Sequence, residues 1–218
     1  MADMNQLEQA PVAPQRYANV MTLVKARLIE VRRLLSNDLD VFSLEIIGNH
    51  FRKIVEAVAY SALIACEMEF DQVPRQIRNQ WNASGILTFL SEKNLLNLPK
   101  RAVIQDAPSG SGSHYTVYDG TDELLPWLLN VYEQVHFFAH EPNPYSQWRY
   151  YAGLSNSFLS EQRDIAIGLQ KHLQEWLWQH VIQVREKWYV VRLGLEDSSS
   201  AVVEGIPLPT LVNDQPRS

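Results

Sequence analysis

Apolar residues along the chain recur mainly at spacings of three and four, which is the pattern of amphipathic helices. In the first such segment, valines and leucines between Val20 and Leu35 form one stripe, and the basic residues lie off it. The pattern predicts four to five principal helices, with Ser84 as the N-cap of the third. The predicted helices cover residues 17–35, 39–69, 85–96, 121–140 and 160–180.

Two further regions alternate between apolar and polar residues and predict β-hairpins. Around residues 100–120, Ala102–Ile104 and Tyr115–Tyr118 flank the Gly- and Ser-rich loop APSGSGS. Near the C-terminus, KWYVVRLGLE and SAVVEGIPLP are joined by a Ser-rich turn, which predicts a hairpin at 186–208. The predicted fold class is therefore mainly α, a helical bundle of four to five principal helices with a small β-hairpin insertion and a C-terminal β-hairpin.

The length of 218 residues is sufficient for one large domain. Residues 1–16 are polar, carry two prolines and predict a disordered arm. We expect a single helical-bundle domain over residues 17–210, followed by a loose tail at 211–218.

The net charge and the cysteine content exclude some classes of function and of structural site. The formal net charge of −6 argues against broad, sequence-independent DNA binding. A local basic site stays possible, because several cations fall in the first quarter of the chain. These cations are Arg27, Arg32, Arg33, Arg52 and Lys53. One cysteine, Cys66, excludes an internal disulfide framework and a Cys-rich zinc site.

Targeting signals do not appear in the sequence. The first fifteen residues lack the apolar core of a signal peptide. No apolar run approaches the length of a membrane span. We therefore expect a cytoplasmic protein without membrane contact.

The second helix is the most informative segment. From Ala57 onward it is apolar on every side, so we expect Ala59, Ala62, Leu63 and Cys66 to be buried in a central helix. Its first half carries a polar row, because 100° per residue places Glu45, Asn49, Arg52 and Glu56 on one side. Two explanations stay open for this row, an ordinary i,i+4 ion pair or a binding site for a ligand or phosphate.

Histidines on the fourth predicted helix raise a second possibility. His136 and His140 are four residues apart, but the glutamate of the H-E-x-x-H motif and a third ligand are missing, so we expect no metal site. His140 lies two residues before Pro142, the first residue of the Pro-Asn-Pro stop, and there serves either as a helix cap or as a general acid or base. Phosphate-binding loops and a hydrolase nucleophile motif are also absent from the sequence, so no cofactor is expected.

Three segments resemble a broad group of uncharacterised bacterial proteins related to the HEPN helical domains. They are FRKIVEAVAYSALIAC, YEQVHFFAHEPNPY and LQEWLWQHVIQV with WYVVRL, and the resemblance covers roughly Leu39 to Leu195. In that group an Arg-x-x-x-Glu helix, a His followed by Asn-Pro, and a helix ending in His before a small hairpin recur. HEPN domains are α-helical bundles, commonly dimeric, and many are metal-independent ribonucleases of toxin or antiphage systems. Their hallmark, an arginine followed four to six residues later by a histidine, does not occur in this chain.

The resemblance implies a split catalytic site with Arg52, Glu56 and His140. Arg52 would stabilise the phosphate while His140 transfers the proton. The residues expected to bind the substrate are Asn49, Lys53, Tyr132 and Asn143. Two functions follow as hypotheses: an HEPN-like protein that binds or cleaves RNA in bacterial defence or a toxin system, or a non-catalytic bundle that acts by dimerisation or by docking to a partner protein.

Overall fold

The computed structural model describes residues 13–66, 77, 82–106, 113–118, 120–139, 156–184, 187–194 and 202–204. Within them the chain forms five helices: α1 (Ala13–Leu35), α2 (Val41–Ala65), α3 (Ala83–Glu92), α4 (Thr121–Ala139) and α5 (Asn156–Leu177). Five strands accompany them: β1 (Lys100–Asp106), β2 (Ser113–Val117), β3 (Gln179–Val184), β4 (Lys187–Arg192) and β5 (Val202–Glu204). The predicted fold class, a mainly helical bundle with small β-hairpins, is confirmed.

Helix α2 is the centre of the bundle, as predicted. Asp40 caps its N-terminus by accepting the Ser43 N–H at 2.7 Å. The helix contacts each of the other four helices and β3. Ala59 and Ala62 are fully buried, and Leu63 and Cys66 are nearly so. The apolar second half of α2 therefore lies in the core.

Helix α1 starts earlier than its sequence pattern indicates. The predicted start at Tyr17 is wrong, because the helix begins at Ala13, which is buried. Pro14 fits this position, since the first turn of a helix needs no N–H donor from proline. Of the predicted arm at 1–16, residues 13–16 are thus helical, and residues 1–12 lie outside the described residues.

Helix α3 is shorter than predicted at its C-terminus. Asn82, not Ser84, is its N-cap and accepts the Ser84 N–H at 3.1 Å. At the other end Asn94 has a φ of 56°, and the Leu95 N–H donates to the Leu90 carbonyl at 2.8 Å. A left-handed residue followed by such a bond is a common helix stop, so the helix ends at Glu92 instead of residue 96.

Both predicted hairpins form, but they belong to one sheet. Its order is β2-β1-β3-β4-β5, and every neighbouring pair is antiparallel. The sequence pattern does not predict strand β3, because the predicted last helix continues to residue 180. Helix α5 instead ends at Leu177, and Gln179–Val184 pairs with β4 on one side and β1 on the other.

Most of the large apolar residues of α5 are buried, with one exception. Leu169, Leu173, Trp176 and Leu177 are buried, as the apolar spacing indicates. Ile165 is 39% exposed, and the neighbouring Ala166 faces the core instead. The small side chain of Ala166 allows close packing of α5, which a count of large apolar residues overlooks.

Candidate functional site

The polar row of α2 forms an ion-pair cluster at the edge of the core. The Glu56 carboxylate is only 7% exposed. It accepts hydrogen bonds from Arg52 Nε at 3.1 Å and from Lys53 Nζ at 2.7 Å. The two cations are more exposed than Glu56, with 31% of the Arg52 side chain and 43% of the Lys53 side chain accessible to solvent. Glu56 thus holds two cations side by side at the surface.

Two tyrosines complete the surroundings of these charges. The guanidinium carbon of Arg52 lies 5.8 Å from the ring centroid of Tyr132, which α4 contributes and which is almost fully buried. Tyr60 lies one turn beyond Glu56, and burial, with the nearby Glu56 and Tyr132, raises the pKa of its phenol. We call Arg52, Lys53, Glu56, Tyr60 and Tyr132 the Arg52 cluster.

The Arg52 cluster carries one net positive charge from two cations and one carboxylate. Partial burial acts to lower the pKa of Arg52, and the hydrogen bonds and charges of Glu56 and Tyr132 outweigh it, so its pKa is raised. Arg52 therefore stays charged. A guanidinium has five N–H donors and an ammonium three. Arg52 and Lys53 retain donors for an anion after their bonds to Glu56.

Most of the predicted site residues on α2 and α4 come together. Arg52 and Lys53 both bond to Glu56, and the Arg52 guanidinium lies over the Tyr132 ring. Asn49 is exposed one turn before Lys53 on the same helix. His140 and Asn143 lie outside the described residues. The split-site geometry between Arg52 and His140 thus stays a prediction.

A second polar cluster, which the sequence pattern does not predict, is completely buried. The Tyr17 hydroxyl of α1 lies 2.8 Å from His180 Nε2 of β3. The other ring nitrogen, Nδ1, lies 2.9 Å from the Leu177 carbonyl oxygen, which only accepts hydrogen bonds. Nδ1 therefore carries the proton, and Nε2 accepts the Tyr17 O–H. Ser61 of α2 is buried close enough to affect the pKa of the Tyr17 phenol, so three elements meet here.

Burial sets the protonation of this second cluster. It lowers the pKa of His180 to about 4, and the Leu177 carbonyl opposes that shift only in part. It also raises the pKa of Tyr17, against a smaller effect of Ser61. Both groups are neutral near pH 7. The cluster is inaccessible to a substrate, so its role is to join α1 to the sheet.

A sequence signal for Tyr17 was present. Tyr17 continues the stripe of Met21, Val24 and Leu28 at spacings of four, three and four, and all four side chains are fully buried. For His180 the resemblance indicates only a histidine at a helix end before a hairpin, whereas its place in β3 depends on pairing with β1 and β4.

In the part of the chain that the structure describes, no group of three or more His, Cys, Asp and Glu side chains is arranged to hold a metal ion. None of the described helices combines the length and the apolar character needed to cross a bilayer.

Comparisons of the chain with protein-family models, with curated proteins and with solved structures gave no match.

Proposed function

We propose that the Arg52 cluster binds the phosphate backbone of RNA. The observation that carries this proposal is the shared contact of Arg52 and Lys53 with one nearly buried carboxylate. This contact keeps the two cations next to each other on the exposed side of α2. A planar guanidinium beside an ammonium suits the oxygens of a phosphodiester, which accept several charge-assisted hydrogen bonds.

The choice of RNA among phosphate-bearing ligands rests on the resemblance to HEPN-related proteins. The net charge of −6 favours a local contact with a short segment of RNA over wrapping of a long nucleic acid. Such a protein would act in the cytoplasm, in bacterial defence or in a toxin system.

Cleavage of RNA requires a proton-transfer group as well as a phosphate-binding group. In this proposal His140 supplies that group and Asn143 helps to position the RNA. An enzyme of this type is a metal-independent ribonuclease, so cleavage persists in excess chelator. The His140→Ala variant is expected to abolish cleavage and to leave RNA binding unchanged.

Binding is tested by fluorescence anisotropy with a labelled RNA oligonucleotide at several salt concentrations. Loss of hydrogen bonds to a charged group costs about 1.5–3 kcal/mol, so Lys53→Ala is expected to weaken binding about tenfold or more. The slope of the logarithm of the binding constant against the logarithm of the salt concentration should also become shallower by about one. The matched control is Arg33→Ala on α1, because Arg33 is also a cation paired with a glutamate, Glu30, at 2.6 Å.

The proposal is overturned if Lys53→Ala and Arg33→Ala lose the same amount of RNA affinity, or if neither variant loses any. Equal loss would indicate a general effect of net charge. Absence of binding by the unmodified protein at low salt would also overturn it.

The second candidate function is association with another protein chain. It is favoured by two large apolar side chains at the start of α2, since Phe42 is 72% and Ile46 is 49% exposed. Exposed apolar residues that lie next to each other often mark protein interfaces. In this function the bundle is non-catalytic and acts by dimerisation or by docking to a partner protein.

A further inference from the structure

A second pair of donor side chains lies where α1 packs against α2. Arg27 of α1 and His50 of α2 are both half-buried, and Arg27 Nη1 lies 3.4 Å from His50 Nδ1. An arginine only donates hydrogen bonds, so Nδ1 accepts and the proton of the neutral ring is on Nε2. The Arg27–His50 pair therefore combines a guanidinium with an imidazole N–H, and both groups can donate to an anion.

The charge of Arg27 is not cancelled by the carboxylate nearby. This carboxylate belongs to Glu30, which is close enough to affect the pKa of His50. Both of its oxygens accept hydrogen bonds from Arg33, at 2.6 and 2.9 Å. Glu30 is thus neutralised by Arg33, and the surroundings of the Arg27–His50 pair carry a net positive charge.

The Arg27–His50 pair lies at the same level of α2 as the Arg52 cluster. Residues 50–53 rise only about 4.5 Å along the helix axis. At 100° per residue, Lys53 lies about 60° around the helix from His50, and Arg52 lies about 100° further in the same direction. Arg52 is on the side of α4, where it meets Tyr132. These donors therefore form a band across α2, from α1 to α4, and not a row along it.

We propose that the Arg27–His50 pair is a second phosphate subsite for the RNA strand that the Arg52 cluster binds. This proposal rests on the proposed function and adds the path of the strand, which crosses α2 from α4 to α1. One phosphate binds at Arg52 and Lys53. A neighbouring phosphate of the same strand binds at Arg27 and His50, since His50 and Lys53 have the spacing that places Cβ atoms about 5–6 Å apart on a helix.

Binding at the second subsite takes up a proton. The Arg27–His50 contact of 3.4 Å is longer than the usual hydrogen-bond range of about 2.7–3.2 Å. A phosphate oxygen is a stronger acceptor for the guanidinium, so Arg27 turns to the phosphate and leaves Nδ1 of His50 open.

The charges around His50 then change sign. In the free protein, burial and the charge of Arg27 lower the pKa of His50, against an opposing effect of Glu30. A phosphate beside the ring offsets the charge of Arg27 and favours the imidazolium. Nδ1 therefore takes a proton from solvent, and the charged ring donates to the phosphate.

Fluorescence anisotropy with a labelled single-stranded RNA oligonucleotide tests the second subsite. Arg27→Ala should weaken binding about tenfold, because hydrogen bonds between a charged group and the phosphate are lost. The matched control is Arg101→Ala in β1. Arg101 is also a half-buried arginine, and its guanidinium carbon lies 5.4 Å from the ring centroid of Tyr118. The control should bind RNA like the unmodified protein.

Two separate phosphates imply additive effects. The factors by which Lys53→Ala and Arg27→Ala weaken binding should multiply in the double variant. The slope of the logarithm of the binding constant against the logarithm of the salt concentration should become shallower by about one in each single variant and by about two in the double variant. A double variant that binds no more weakly than the weaker single variant overturns the second subsite, because both cations would then bind one phosphate.

The proton uptake is tested by repeating the titration at pH 8 and at pH 6, at constant ionic strength. His180 stays neutral over this range, since its pKa is about 4. The RNA affinity of the unmodified protein should be about threefold or more higher at pH 6. His50→Gln retains a side-chain N–H and cannot take up the proton, so its affinity should rise less. An equal rise in the two proteins overturns the proton coupling.

The outcomes separate the second subsite from the function on which it rests. If Lys53→Ala weakens binding and Arg27→Ala behaves like Arg101→Ala, the second subsite is overturned and RNA binding by the Arg52 cluster stands. If neither Lys53→Ala nor Arg27→Ala weakens binding, or if the unmodified protein does not bind RNA, both proposals are overturned.

Discussion

The hydroxyl of Tyr17 donates a hydrogen bond to Nε2 of His180 at 2.8 Å, although 163 residues separate them in the chain. Both side chains are completely buried. The bond links the first turns of α1 to the strand that follows α5. It therefore closes the bundle between its first and last described helices, and its strength depends on a neutral histidine.

Acid should weaken the fold through His180. Its pKa is about 4 in the folded protein and 6.5 for the free side chain. The neutral form is thus favoured by folding, and its contribution is fully present above pH 6.5 and is lost as the pH falls toward 4. Between pH 7 and pH 5 the free energy of unfolding should fall by about 2 kcal/mol from this group. Urea denaturation at both pH values measures the change.

The control for this prediction is His180→Gln, which cannot titrate in this range. The difference in unfolding free energy between pH 7 and pH 5 should be smaller in this variant than in the unmodified protein. An identical pH dependence in the two proteins would show that other groups cause the acid sensitivity.

Alanine substitutions at two glycines should change stability in opposite directions. A Cβ atom at Gly120 would lie 2.6 Å from a ring carbon of Trp176, so Gly120→Ala forces one of them to move. Overpacking of this kind costs about 1–3 kcal/mol. Gly168 lies inside α5 with nothing within 4 Å of its added Cβ, and alanine there should stabilise the helix by about 0.5–1 kcal/mol. Thermal denaturation of both variants checks the two signs, and a stable Gly120→Ala variant contradicts the first.

Local patterns predicted the helices well because each helix closes its own hydrogen bonds. The burial of Ala59, Ala62 and Leu63 followed from the apolar surroundings of a single segment. Strand β3 could not be predicted in this way. Its pairing with β1 joins residues about eighty positions apart, such as Arg101 and His180, and its sequence gives no local sign of that neighbour.

The contacts of the candidate site could likewise be predicted only where they lie within one helix. The contact of Arg52 with Glu56 follows from the i,i+4 spacing of one helix. The approach of Tyr132 to Arg52 depends on how α4 packs against α2, which spacing along either helix does not determine. The Tyr17–His180 bond lies furthest from prediction, because it needs α1, α5 and β3 in their final places.

Leu63→Asp should unfold the domain. Leu63 is 6% exposed in the second half of α2, and an unpaired charge there costs several kcal/mol. The same change at Leu23, which is 59% exposed on α1, is the matched control and should have little effect. Circular dichroism and thermal denaturation compare the two variants. A folded Leu63→Asp protein would contradict the central position of α2.

The contribution of the Arg52–Glu56 pair to stability can be separated from its contribution to binding by a double-mutant cycle. Arg52→Ala removes one of the two cations that neutralise a carboxylate of which only 7% is exposed, and Lys53 then remains alone with it. Because Arg52 is itself partly solvated, we expect a loss of only about 1 kcal/mol. Glu56→Gln removes the charge that makes this loss costly.

Arg52→Ala should therefore be less harmful in the Glu56→Gln background than in the unmodified protein. The expected coupling is about 0.5–1 kcal/mol in urea denaturation. Additive effects would show that Glu56 does not depend on Arg52 in the folded state. The cluster would then lack the fixed geometry on which the proposal of RNA binding rests, and any loss of binding in Arg52→Ala would reflect only the missing charge.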